Sequence, residues 1–125
     1  MAKKLLVIDD EPGIIKVIEM VARQLGWDTR SLRNPAQAAE TFIAFKPDLL
    51  LLDMIMPQKD GIDVLQELLS TGIPVKVALT SGYGDSYLRL GEGVARFHGC
   101  GNVSLLRKPF RRGELIELLL GLGME

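Results

Sequence analysis

The sequence predicts an α/β fold in which an open, mostly parallel sheet carries helices on both faces. Two observations support this prediction. Apolar strand-like runs alternate with helical patterns along the chain, and the first run, Leu5 to Ile8, has four consecutive apolar residues. Such a run needs burial on both faces, as in a parallel sheet. We expect residues 1–125 to form one domain, which is long enough to bury its own core.

The first predicted strand, Lys4–Ile8, is followed by a helix with a signal at each end. Pro12 suits the first turn of this helix, and Gly26 suits its end. The second strand, Trp27–Leu32, comes next. The apolar residues that recur at helical spacing between the two strands are Ile15, Ile18, Ala22 and Leu25.

The second and third helices have similar signals. Asn34 and Pro35 open the second helix as its N-cap and first-turn residue. The third strand is Asp48–Leu52, and the third helix starts after Gly61. The apolar positions are Ala38, Phe42 and Phe45 in the second helix, and Val64, Leu65, Leu68 and Leu69 in the third.

The fourth helix has the weakest pattern. It is expected at about Asp85 to Phe97, between the last two predicted strands, Val75–Thr80 and Val103–Leu106. Gly91 and Gly93 interrupt it, so we expect this helix to be short, mobile or shifted. The final helix is marked by Leu115, Ile116, Leu119 and Leu120.

The composition excludes several function classes. The 15 basic and 16 acidic residues leave a net charge of −1, which argues against a chain-wide electrostatic attraction to nucleic acid or to an anionic membrane. The single cysteine, Cys100, excludes an internal disulfide framework and fits a reducing compartment. The sequence shows no signal-peptide pattern and no apolar run of membrane-spanning length. We expect a cytoplasmic soluble domain.

Polar side chains lie at or near the carboxyl ends of four of the predicted strands, where ligands bind in folds of this class. These residues are Asp9, Asp10, Asp53, Thr80, Ser81 and Lys108. If the first and third strands are neighbours, the three carboxylates crowd together, and two such charges ~4 Å apart repel by about 4 kcal/mol at an effective dielectric constant near 20. Either a pKa rises or a cation lies among them. An all-carboxylate site favours a hard divalent ion such as Mg²⁺.

Four stretches, "VIDDEPG", "LLLDMIMPQKDG", "LTSGYGD" and "LLRKPF", resemble in this order the receiver domain of two-component response regulators. The resemblance covers the whole chain, and the receiver domain that it indicates is similar to that of chemotaxis regulators. It implies a flavodoxin-like (βα)5 fold with the strand order 2-1-3-4-5.

The resemblance also assigns roles to individual residues. Asp53 resembles the phosphoacceptor, and Asp9 and Asp10 resemble the acids that hold Mg²⁺ directly or through water. The backbone carbonyl of Ile55 would complete the protein's share of the metal ligands. Lys108 would pair with a phosphoryl oxygen and is expected to precede a cis-proline.

Receiver domains switch through a Ser or Thr hydroxyl that moves to the phosphoryl group, and this sequence offers two. Ser81 is favoured because Gly82 and a turn follow it. Thr80 is the alternative, since alternate strand residues point to opposite faces and only one can face the site. Leu105 stands where many receivers have a Tyr or Phe, so a rotating-ring switch is not expected.

The resemblance implies a signalling switch rather than a turnover enzyme. The phosphoryl donor would be a sensor histidine kinase, a phosphotransfer protein or a small phosphodonor. The output would be a downstream protein or a homodimer, bound through the surface from the fourth helix through the fifth strand to the fifth helix. Two alternatives stay open: a pseudo-receiver that only binds partners, and a phosphatase with an Asp nucleophile, for which the sequence shows no general acid. We also predict that Ile55 and Tyr83 obstruct attacking water and prolong the phosphorylated state.

Overall fold

The computed structural model describes residues 2–82 and 84–123, and strands alternate with helices throughout. The strands are β1 (Lys4–Ile8), β2 (Asp28–Leu32), β3 (Leu49–Asp53), β4 (Lys76–Ser81) and β5 (Val103–Arg107). The helices are α1 (Pro12–Gln24), α2 (Ala38–Phe45), α3 (Gly61–Leu69), α4 (Asp85–Phe97) and α5 (Arg112–Gly123). All strand pairs are parallel, in the order β2-β1-β3-β4-β5, which confirms the predicted fold class.

The sheet separates two hydrophobic clusters, one on each face. In β1, Leu5 and Val7 belong to the cluster that α1 and α5 cover, whereas Leu6 and Ile8 belong to the cluster under α2, α3 and α4. All four side chains are fully buried. The continuous apolar run of β1 therefore reflects burial on both faces, as expected for a central strand of a parallel sheet.

The end of α1 agrees with its prediction, whereas the start of α2 does not. Gly26 follows the end of α1 with a φ of 85°, a left-handed conformation that glycine adopts readily, so this predicted stop is confirmed. Asn34 does act as a cap, because its Oδ1 accepts a hydrogen bond from the N–H of Ala36 at 2.9 Å. The segment that it caps is a short 3-10 turn, Pro35–Gln37, and α2 starts only at Ala38.

The predicted position of the fourth helix is confirmed, but the expectation that this helix is short or shifted is wrong, because α4 runs unbroken over the 13 residues of Asp85–Phe97. The expectation that it is mobile stays a prediction. Gly91 does not break the helix but lets it approach the sheet. A Cβ atom at this position would lie 2.8 Å from Leu79 Cδ1 and 2.8 Å from Met54 Cε, whereas one at Gly93 would meet nothing within 4 Å. The glycine pattern thus reflects close packing at Gly91, which the helix periodicity does not reveal.

This difference predicts opposite effects for two alanine substitutions. Gly93→Ala is expected to stabilise the protein by about 0.5–1 kcal/mol, because alanine loses less backbone entropy in a helix. Gly91→Ala gains the same helix propensity, but its methyl group overpacks the interface between α4 and the sheet. Such overpacking typically costs about 1–3 kcal/mol, so we expect this variant to be less stable than the wild type. Urea unfolding of both variants tests this expectation. Equal stabilisation of the two variants would show that α4 does not pack closely at Gly91.

Candidate functional site

The carboxyl ends of β1 and β3 bring four acidic residues together. β1 and β3 pair directly, with Ile8 opposite Leu52, so the residues that follow them, Asp9 and Asp53, become neighbours. These two carboxylates are 2% and 3% exposed, respectively. Asp9, Asp10, Glu11 and Asp53 each offer a carboxylate oxygen, and these four atoms all lie within 4.8 Å of one another.

Lys108 places a single ammonium group among these acids. Its Nζ lies 2.9 Å from Asp9 Oδ2, 2.9 Å from Glu11 Oε1 and 3.2 Å from Asp53 Oδ2. The peptide bond between Lys108 and Pro109 is cis, as the resemblance implied. The contact between Lys108 and Asp53 fits the predicted arrangement, whereas the ion pair with Glu11 was not anticipated. Glu11 directly follows the two predicted metal ligands, which is the signal that places it here.

Backbone groups fix the orientation of the two buried carboxylates. The N–H of Glu11 donates to Asp9 Oδ1 at 2.9 Å, and the N–H of Ile55 donates to Asp53 Oδ1 at 3.2 Å. Each carboxylate therefore binds its own loop through one oxygen and Lys108 through the other. The proposed metal contact of the Ile55 carbonyl stays a prediction.

One ammonium does not fully compensate the buried negative charge. Burial raises the pKa of Asp53 to about 7, and the neighbouring charge of Asp9 adds to the increase, while Lys108 opposes it. Burial also raises the pKa of Asp9. For Lys108, burial alone would lower the pKa, but the hydrogen bonds to Asp9 and Glu11 outweigh it and raise the pKa. The cluster is thus prepared to bind a further cation.

The raised pKa predicts that Asp53 destabilises the metal-free fold as the pH increases. The unfolded carboxyl ionises near 3.8 and the folded one near 7, so the native state binds more protons between these values and loses stability as the pH rises. Asp53→Asn should therefore gain stability over the wild type, on the order of 3 kcal/mol by pH 8 and much less at pH 4. Urea unfolding in EDTA at both pH values measures this difference. A difference that does not change with pH would contradict the assigned pKa.

The two candidate switch hydroxyls, Thr80 and Ser81, are both buried at the carboxyl end of β4. Thr80 is the register partner of Asp53, and Ser81 is the last residue of the strand. Alternation along β4 places their side chains on opposite faces of the sheet. The assignment of Ser81 as the switch residue, with Thr80 as its alternative, stays a prediction. Of the two residues predicted to obstruct water, Ile55 is 37% exposed beside the acids, and Tyr83 lies outside the described residues.

A hydrogen bond that the sequence did not predict connects α4 to the loop after β3. The Tyr87 hydroxyl donates to Asp60 Oδ1, which also accepts the N–H of Ile62 at 2.8 Å and so caps α3. Burial of Tyr87 and its contact with Asp60 raise the pKa of the phenol to about 12. Asp60 and Tyr87 are 27 residues apart, and only the packing of α3 beside α4 brings them together.

This geometry agrees with what known proteins show. Residues 5–120 match the family described as the response regulator receiver domain. The chain is 33% identical over 119 residues to the DNA-binding response regulator MtrA of Mycolicibacterium smegmatis, covering 93% of this chain and 48% of MtrA. It is 32% identical over 117 residues to the response regulator protein PilR of Pseudomonas aeruginosa, covering 94% of this chain and 25% of PilR.

Solved structures show the same fold. The receiver domain of the Francisella response regulator 1452 superposes with a TM-score of 0.82 at 27% identity, over 98% of this chain and 97% of that domain. The chemotaxis protein CheY4 of Vibrio cholerae gives a TM-score of 0.83 at 15% identity, over 98% and 99% of the two chains. The chain therefore belongs to the response regulator receiver domain family of two-component signal transduction.

The chain spans only part of the relatives that it matches, 48% of MtrA and 25% of PilR. The family assignment therefore concerns the receiver region. In residues 2–82 and 84–123, no helix is long and apolar enough to cross a membrane.

Proposed function

We propose that this chain is a phosphorylation-dependent switch in which Asp53 accepts a phosphoryl group. The observation that carries the proposal is the position of Asp53, a buried carboxylate with Lys108 at 3.2 Å and a second acid, Asp9, beside it. An Asp53 oxygen attacks the phosphorus in line and forms a P–O bond. The P–N bond of a phosphohistidine, or the P–O bond of a small acyl phosphate, breaks, and its electron pair leaves with the donor.

The acidic cluster fits Mg²⁺ as the cofactor of this transfer. Its ligands are hard oxygens within 4.8 Å of one another, and two of the carboxylates are buried with a raised pKa. Asp9, Asp10 and Asp53 would hold the ion, together with the carbonyl of Ile55. When bound, Mg²⁺ supplies the positive charge that offsets the acids and the phosphoryl oxygens.

Lys108 supplies the second positive charge of the proposed reaction. Its ammonium already contacts Asp53, so it can follow the negative charge from the carboxylate to a phosphoryl oxygen. Lys108 directly follows β5, which packs next to α4, so we expect a displacement of Lys108 to move the surface that β5 and α4 form. This connection supports an output through binding rather than through substrate turnover.

The proposed partners follow from the family and from the exposed surface. The donor is a sensor histidine kinase or a phosphotransfer protein, and the chain acts in the cytoplasm without contacting nucleic acid itself. A downstream protein or a second copy binds the surface formed by α4, β5 and α5. Arg89 on α4, Leu105 on β5 and Glu114 on α5 line a pocket in this surface, where Leu105 is 37% exposed. Arg107 pairs with Asp85 at 2.5 Å across β5 and α4.

Chemical trapping of the phosphorylated residue tests the proposal. The protein is incubated with acetyl phosphate and Mg²⁺, reduced with borohydride, and digested for peptide mapping. Because borohydride reduces an aspartyl phosphate to homoserine, we expect homoserine at position 53. Asp63→Asn, which changes an exposed carboxylate of α3, should be labelled like the wild type. Homoserine at another aspartate would overturn the assignment of Asp53.

A further inference from the structure

Thr80 has a buried hydroxyl that no described residue satisfies. The residue is 2% exposed, and its Oγ1 has no hydrogen-bond partner within residues 2–82 and 84–123. A buried polar group without a partner costs free energy, and such groups in native proteins are uncommon. The hydroxyl is therefore expected to find its partner in another state of the site.

The sheet geometry places this hydroxyl on the same face as Asp53. Ala78, two residues before Thr80 on β4, belongs to the cluster under α1 and α5, as does Leu51, two residues before Asp53 on β3. Because side chains alternate along a strand, Thr80 and Asp53 continue on that face. They are also register partners on adjacent strands.

Lys108 reaches Asp53 across the same part of β4. The lysine follows β5, whose Leu106 is the register partner of Thr80, and β4 lies between β5 and β3. A Cβ atom on Gly82 would lie 3.8 Å from Lys108 Cβ, so the lysine side chain begins directly over the end of β4. The side chain of Lys108 therefore crosses the end of β4, next to Thr80, to reach Asp53.

All three N–H donors of the ammonium are used by Asp9, Glu11 and Asp53. A phosphoryl group on Asp53, and any cation held by Asp9, would remove carboxylate oxygens from Lys108. A phosphoryl oxygen replaces the Asp53 carboxylate as one acceptor and Glu11 remains another, so one N–H donor of the ammonium is left without an acceptor, and the Thr80 hydroxyl has lone pairs on this face.

We propose that Thr80 is a positioning residue whose hydroxyl accepts a hydrogen bond from Lys108 in the phosphorylated state and holds the ammonium against the phosphoryl group. This inference rests on the proposed phosphorylation of Asp53. It gives Thr80 a contact with the Lys108 ammonium, which is separate from the contact that a switch hydroxyl makes with the phosphoryl group. The contact does not exist in the described state, so its effect is confined to the phosphorylated form.

Binding of beryllofluoride, a non-covalent phosphoryl analogue, tests this inference. Wild type, Thr80→Val, Thr80→Ser and Thr29→Val are titrated in Mg²⁺, and Mg²⁺ affinity is measured separately. Thr29 is the matched control, because its Oγ1 is also buried without a partner but lies on β2, opposite Leu5. Thr80→Val should bind beryllofluoride about tenfold more weakly, as expected for the loss of one hydrogen bond to a charged group.

The other measurements separate positioning from structure. Thr80→Ser should bind beryllofluoride within about twofold of the wild type, and Mg²⁺ affinity should be the same in all four proteins. Neither valine variant should lower the thermal stability of the unphosphorylated protein, because each replaces an unsatisfied hydroxyl with a methyl group. Wild-type affinity for beryllofluoride in Thr80→Val would overturn the inference. Failure of the wild type itself to bind the analogue would instead count against the proposed function.

Discussion

Replacing Lys108 with methionine is expected to destabilise the metal-free protein and, at the same time, to tighten its binding of Mg²⁺. The substitution keeps the volume of the aliphatic side chain but removes the only ammonium that contacts the described acids Asp9, Glu11 and Asp53. Breaking a buried ion pair by deleting one partner typically costs about 3–5 kcal/mol. Protonation of the carboxyl groups whose pKa is raised offsets part of this cost. We therefore expect the free energy of unfolding to fall by about 2–4 kcal/mol at pH 8.

The gain in Mg²⁺ affinity has the same cause. The ammonium and a divalent cation compete for the same oxygens, and each ion-pair interaction near 4 Å is worth about 4 kcal/mol at an effective dielectric constant of 20. We therefore expect the dissociation constant for Mg²⁺ to fall at least about tenfold. Urea unfolding in EDTA and calorimetric titration with Mg²⁺ measure the two effects.

Lys59→Met is the matched control for this experiment. Lys59 also forms an ion pair, with Glu67 at 3.2 Å, but both side chains are substantially exposed. Such surface pairs contribute about 0–1 kcal/mol, so this variant should keep both its stability and its Mg²⁺ affinity. A Lys108→Met protein that behaves like Lys59→Met would show that Lys108 does not balance the acidic cluster.

Replacing Gly61 with alanine is expected to have the largest effect on stability of any single methyl addition among the described glycines. A Cβ atom at Gly61 would lie 2.4 Å from Met54 Cα and 2.5 Å from the Met54 carbonyl oxygen. These are backbone atoms, so a rotamer change cannot relieve the clash. The N–H of Gly61 also donates to that carbonyl at 3.0 Å, which fixes the start of α3 against the end of β3.

Because Met54 directly follows Asp53, the displaced backbone also disturbs the proposed phosphoacceptor. We expect Gly61→Ala to lose about 3 kcal/mol or more of unfolding free energy and to accept phosphoryl groups more slowly. Gly13→Ala is the control, because a Cβ atom there would meet nothing within 4 Å in helix α1. Equal unfolding midpoints for the two variants would contradict the close contact between Gly61 and Met54.

The sequence was sufficient to locate the acidic cluster because its members follow buried strands. Alternating strands and helices predict a parallel sheet, and the ends of parallel strands meet at one edge. Asp9 and Asp53 could therefore be placed at the same edge of the sheet without coordinates, and a raised pKa or the need for a cation followed on the condition that β1 and β3 are neighbours. The order of the strands came from the family resemblance, since periodicity alone does not determine which strands are neighbours.

The features that sequence reasoning missed all depend on contacts between distant segments. Gly91 looks like a helix breaker until Met54 and Leu79 are found against it. Likewise, the hydrogen bond from Tyr87 to Asp60 joins two elements whose relative position is set by the whole sheet. Local propensity describes a residue in its own helix or loop, and it carries no information on such partners.

Intact-mass spectrometry after incubation with acetyl phosphate tests the central claim most directly. Wild type and Asp53→Asn are compared with and without Mg²⁺, beside a receiver domain known to be labelled under the same conditions. We expect a single phosphoryl adduct on the wild type that requires Mg²⁺ and is absent from Asp53→Asn. An unmodified wild type beside a labelled control, or an adduct that persists in Asp53→Asn, would contradict the proposed phosphorylation of Asp53.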